Sequence, residues 1–171
     1  MDERDEAMLR LSFEVARASV EHGNLPFGAV LVDADGHVVL EGETTTRTEH
    51  DPTGHAETNL LREAGRRFEP EYLAACTLYS SAEPCVMCAG AAHWVGVGRI
   101  VYGLDIVELD AIIAGNPLSR NPLVRAADVL RAGNVSVRLE GPALVEEAAA
   151  VHREFWGRSS EADAGPPGRE S

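Results

Sequence analysis

SSAEPCVMCAGAAHW, residues 80–94, is the stretch on which the reading of this chain turns. It follows a β-rich run, CTLYSS (76–81), and Glu83-Pro84 opens a helix over CVMCAGAAHWV (85–95). Pro84 at the first helical position wastes no N–H. Cys85 and Cys88 then fall on the first turn, three residues apart and on one face, where both sulfurs can share a metal ion. The partial positive charge of the helix N-terminus favours thiolates, the ligand form. Taken alone, Cys-x-x-Cys divides between a redox pair, a zinc half-site and coincidence. A thioredoxin-like pair sits right after an early strand of a βαβ unit; here the pair comes after the third strand, with a hairpin in front.

The other half is HDPTGHAETNL, residues 50–60. His55 lies at the start of a second predicted helix, just after the DPTG loop, and is the best candidate for a third ligand. Soft sulfur plus imidazole selects zinc over magnesium or calcium. Two cysteines and one histidine provide three protein ligands, the pattern of catalytic zinc with water in the fourth position, whereas structural sites close with four. Glu57 is too near His55 in sequence to chelate beside it, yet near enough to reach a bound water, which is the place of a proton shuttle. Plainer readings stand beside this one. A histidine at a helix start is most often a cap or a surface group. A Cys85–His nucleophile pair is conceivable, but it leaves Cys88 and Glu57 without roles.

Working outward, helical periodicity runs from Glu6 to Glu21 and breaks at EHGNLP. FGAVLVD and HVVLEGE flank ADG and read as a hairpin. After the two halves of the site come a strand GRIVYGL, a helical stretch around IVELDAIIAG, a helix in NPLVRAADVLRAG, a short strand VSVRLEG, and an amphipathic helix from Ala143 to Trp156. This order predicts an α/β fold, a three-layer α-β-α sandwich around a mixed five-stranded sheet, as one domain over residues 1–157 with a disordered tail over 158–171.

The chain has 171 residues, 44% of them hydrophobic, enough for a core without staples. Its formal net charge is −13 and it contains no lysine, so long nucleic acids are disfavoured as partners. The N-terminus lacks the basic segment and apolar run of a signal peptide, and no apolar run reaches bilayer length, so the expectation is a cytoplasmic protein.

HAE (55–57) with PCVMC (84–88) resembles the H-x-E…P-C-x-x-C pattern of the zinc nucleobase and nucleoside deaminases. PFGAVLVD, HDPTGHAE, TLYSSAEPCVMCAGA and GRIVYG are similar, in order and spacing, to the branch containing bacterial guanine deaminases and tRNA adenosine deaminases, over roughly Leu25 to Gly103. The resemblance implies a cytidine-deaminase-like fold, one zinc held by His55, Cys85 and Cys88, Glu57 as the catalytic proton shuttle, and at least a homodimer. It also implies a small-molecule substrate that loses ammonia by hydrolysis. Guanine leads, with an aminotriazine, isocytosine or cytosine as further options. tRNA adenosine deamination is a second reading, and a noncatalytic zinc-stabilised binding module is one of another class.

Substrate contacts are less constrained. Phe27 and Trp94 resemble the guanine deaminases more than the tRNA enzymes, and either can equally be an ordinary packing aromatic. Glu108 falls near an acidic position of the guanine deaminases, with Asp105 and Asp110 as competitors. Phe155 and Trp156 are placed to close over a pocket, or simply to pack the last helix. Where the family usually carries Asn, seven residues before the Asp of DPT, this chain has Thr44. A hydroxyl offers one donor and a different reach, which opens the identity of the substrate.

Overall fold

The computed structural model describes residues 1–114 and 122–162. In chain order the elements are α1 (Glu3–Glu21), β1 (Gly28–Val32), β2 (Val38–Glu43), α2 (Ala56–Arg67), α3 (Pro70–Leu73), β3 (Thr77–Ala82), α4 (Val86–Val95), β4 (Arg99–Leu104), α5 (Ile106–Ile112), α6 (Ala126–Ala132), β5 (Arg138–Glu140) and α7 (Val145–Ala162). The strands form one sheet in the order β2-β1-β3-β4-β5. β1 pairs antiparallel with β2 and β3, while β4 runs parallel to β3 and β5.

Alternation along the strands divides the core in two. Val30, Val32, Tyr79 and Val101 face Leu9, Phe13 and Ala16 of α1 and Ala148, Ala149 and Trp156 of α7. Ala29, Leu31, Leu78 and Ile100 face Leu60, Leu61 and Ala64 of α2, with Ala92 of α4 and Leu130 of α6. Helices on both faces of a mixed sheet make the expected three-layer sandwich.

Several boundaries differ from the sequence pattern, each for a local reason. α1 begins at Glu3 instead of Glu6 because Asp2 and Asp5 form a reciprocal cap: the Asp2 carboxylate accepts from the Asp5 N–H at 2.8 Å, and the Asp5 carboxylate from the Asp2 N–H at 3.1 Å. α3, a single turn opened by Pro70, is too short to show a period. Cys85 is the N-cap of α4, so Pro84 precedes the helix and is not its first residue. α7 continues to Ala162, into the segment expected to be a tail; residues 163–171 of that expected tail lie outside the described residues.

A polar cluster lies beside the apolar core, at the start of β4. The Asp5 carboxylate accepts from both terminal nitrogens of Arg99, at 2.6 and 2.8 Å, and from the Tyr79 hydroxyl at 2.7 Å. Arg99 also donates to Glu140 on β5, at 2.6 and 3.1 Å. Hydrogen bonds from Arg99 hold the Asp5 carboxyl well below the usual carboxylate range.

His152 is the opposite case. α7 buries it completely, and among the described residues neither ring nitrogen has a hydrogen-bond partner. The Phe27 ring lies 5.0 Å away. Burial pushes its pKa from the usual 6.5 down to about 4. The folded chain therefore binds this proton more weakly than the unfolded chain. The associated stability is complete above about pH 6.5 and is lost as pH falls towards 4, by about 3 kcal/mol in all. Denaturant titrations at pH 7 and pH 4 should show His152→Leu losing less stability on acidification than wild type by about that amount. Parallel pH profiles would refute the expectation.

Candidate metal centre and active site

α2 and α4 lie on the same face of the sheet, and their N-termini meet near the carboxyl end of β3. The loop leading to α2 is shaped by Asp51, whose carboxylate accepts from the Thr53 N–H at 2.8 Å and the Thr53 hydroxyl at 2.7 Å, a local turn of the kind aspartate favours. The Gly54 carbonyl then receives the Thr45 N–H at 2.8 Å, the Thr44 hydroxyl at 2.9 Å and the Asn59 side-chain amide at 3.3 Å. A side chain at position 54 would meet the Thr45 hydroxyl oxygen at 2.6 Å, which accounts for glycine there. These ties deliver His55 as the N-cap of α2.

Opposite it stand Cys85, the N-cap of α4, and Cys88, one turn on and fully buried. His55 Nδ1 is 3.6 Å from each sulfur, and the sulfurs are 3.5 Å apart. A tetrahedral zinc with bonds of about 2.3 Å to sulfur and 2.0 Å to nitrogen requires ligand separations of roughly 3.5–3.8 Å. The donor set thus fits zinc in both chemistry and spacing. Hydrogen bonding from Cys88, then from His55, pulls the Cys85 thiol down to about 4, which favours the thiolate form that a metal ligand needs. The same bond to Cys85, with burial, pushes Cys88 up.

Glu57, in the first turn of α2, is buried beside this cluster. Its Oε1 accepts from the Ser80 hydroxyl at 3.0 Å, and its Oε2 lies 3.5 Å from Cys88 Sγ. Burial, followed by the charge of Cys85, raises its pKa. Such a carboxyl gains and releases a proton more readily near neutral pH than an exposed one.

The other sequence candidates are distributed differently. Thr44 adjoins the site but its hydroxyl is engaged by the Gly54 carbonyl, which makes it a brace for the His55 loop. Phe27 immediately precedes β1, with its carbonyl accepting from the Thr44 N–H at 3.4 Å and its ring against His152. The structure does not bring Trp94 to the cluster: it is 88% exposed on α4. Glu108, on α5, pairs with Arg153 of α7 at 3.9 Å. Trp156 is buried in the α1–α7 core, edge-on to Phe155 at 4.7 Å. Ser80 and Asn59 were not foreseen. A pair of serines inside a buried strand was the available signal for the first.

The sequence model of the cytidine and deoxycytidylate deaminase zinc-binding region matches residues 2–104. A probable cytosine deaminase of Schizosaccharomyces pombe is 31% identical over 159 residues, covering 91% of this chain and 94% of that protein. A tRNA-specific adenosine deaminase of Haemophilus influenzae is 38% identical over 110 residues, 64% of each chain. Among solved structures, the guanine deaminase of Nitrosomonas europaea superposes with a TM-score of 0.75 at 27% identity, covering 89% of this chain and 84% of that one. The chain belongs to the zinc-binding cytidine and deoxycytidylate deaminase family. It is accordingly a hydrolase acting on C–N bonds of nucleobases or nucleosides, with zinc as its metal.

Proposed function

We propose that this protein hydrolyses the exocyclic amino group of a free nucleobase or related heterocycle, releasing ammonia, with guanine as the leading substrate. The observation that carries the reading is Glu57: a carboxyl buried against a three-ligand cluster and oriented by Ser80 has no use in a purely structural zinc site. His55, Cys85 and Cys88 would hold the zinc, which when bound would supply a water acidic enough to attack an amidine carbon. Glu57 is placed to carry two protons in turn, both from the water that adds: the first to the ring nitrogen and the second to the departing amine. Water adds, ammonia leaves, and the ring keeps a carbonyl. Ser80 keeps Oε1 engaged so that Oε2 faces the metal side.

Guanine leads because a guanine deaminase shares nearly the whole fold. A second reading, cytosine, is favoured by the S. pombe relative, of which the match covers 94%. The tRNA reading is opposed by the charge of −13 and the absence of lysine. We place the protein in the cytoplasm, consistent with the absence of a membrane-spanning helix among the described residues. A homodimer is supported by the apolar face of α4, where Val86 and Trp94 are exposed on either side of Gly90. An ammonia-release screen over guanine, cytosine, isocytosine, adenine, aminotriazines, their nucleosides and a tRNA anticodon stem-loop tests the substrate. Turnover should be greatest with guanine. Activity confined to the stem-loop would overturn the free-base reading, and cytosine outpacing guanine would favour the second.

A further inference from the structure

Cys85 stands outside the helix that follows it. Its carbonyl accepts the first rung of the α4 ladder, from the Ala89 N–H at 2.8 Å, so on that side it is held by the helix. On the other side is Pro84, which has no N–H and a fixed φ, and then Glu83. Whatever holds Glu83 therefore holds the turn that presents Cys85.

Glu83 is held unusually firmly. Its backbone N–H donates to the Leu104 carbonyl at 2.7 Å, at the end of β4. Its carboxylate, 1% exposed, reaches in two directions: Oε2 accepts the Ile106 N–H of α5 at 3.2 Å, and Oε1 accepts the Ala126 N–H of α6 at 2.9 Å. These are the first residues of their helices, whose N–H groups have no partner within the helix. Arg125, the residue before α6, lies with Nε 3.4 Å from Oε1 and supplies the compensating charge. Its guanidinium also binds Asp105, the N-cap of α5, with one bond at 2.8 Å. One buried carboxylate thus joins the metal-bearing turn to the starts of two helices that are twenty residues apart in sequence.

We infer that Glu83 is a positioning residue for the reaction: it clamps the metal-bearing turn against α5 and α6 so that Cys85 is presented to zinc already in place. This rests on the zinc reading above and adds a residue to it that touches neither metal nor substrate. Glu83→Gln keeps the length but turns an NH₂ group towards one of the two N–H donors, so one bond is lost and the turn is released on that side. Outer supports of metal ligands are typically worth about 10–100-fold in metal retention or turnover.

The test compares zinc-loaded wild type, Glu83→Gln and Arg125→Met at a temperature where each is folded. It measures zinc release to a chelator, kcat and KM, and the visible spectrum of the cobalt-substituted protein. Glu83→Gln should release zinc about tenfold faster or more, shift the cobalt bands and lower kcat, with KM within about twofold of wild type. Arg125→Met should change in the same direction by less. A Glu83→Gln protein that melts lower but keeps wild-type zinc release, cobalt spectrum and kcat overturns the inference, since packing alone would do that. If Glu83→Gln fails to fold, wild-type values in Arg125→Met overturn it. Wild-type protein that binds no zinc would instead sink the metal reading on which the inference rests.

Discussion

Glu57→Gln should keep its zinc and lose turnover by about 10²–10⁴-fold, the usual contribution of a positioned acid or base. The substitution preserves volume and leaves a carbonyl oxygen to accept from Ser80, so the protein should fold as before. What disappears is the capacity to take a proton and give it back. Zinc content by elemental analysis and kcat by ammonia release together decide the matter. A metal-replete variant with unimpaired kcat would remove Glu57 from the chemistry and would favour a role for the domain in binding alone.

Cys85→Ala should lose the metal and all measurable turnover. Only His55 and Cys88 would remain, and two ligands leave zinc bound far more weakly than three. Cys85 is only partly buried, whereas Cys88 is fully buried, so removing its sulfur deprives the core of little. The loss of zinc should therefore exceed any loss of fold, and circular dichroism alongside zinc analysis separates the two. Stoichiometric zinc in Cys85→Ala would mean that the ligand set is wrong. The two substitutions are complementary: one removes chemistry and keeps metal, the other removes metal and with it the chemistry.

The centre of the site was legible because ligand chemistry restricts both residue type and spacing. Thiolates a turn apart, an imidazole at another helix start and a carboxylate two residues on leave few alternatives, and the spatial cluster of His55, Cys85 and Cys88 follows the sequence pattern. The layers were legible too, since a hairpin followed by strand–helix alternation along the chain leads to helices on both faces of a mixed sheet. What supports the site was not. Glu83 before Pro-Cys reads as an ordinary helix opening, because its partners are backbone N–H groups of residues 106 and 126, invisible to any local pattern. Thr44 shows the same limit from the other side. Its identity stands out in sequence, but only the fold reveals that its hydroxyl is engaged by the Gly54 carbonyl. Trp94 illustrates a third limit: periodicity identifies an apolar helix without saying which of its faces the chain itself covers.

The Asp5 cluster bears on how this protein is handled. Asp5 both caps α1 and accepts from Arg99 and Tyr79, so the opening residues are tied through Arg99 to Glu140 at the far edge of the sheet. Trimming the first five residues would strip a guanidinium whose side chain is only 16% exposed of one of its two carboxylates. Arg99 would keep Glu140, but α1 would lose its reciprocal cap together with the Asp5 pair, so the folded state should be weakened. Expression designs should therefore place affinity tags ahead of an intact Met1–Asp5 segment, joined through a linker that leaves the cap free to form.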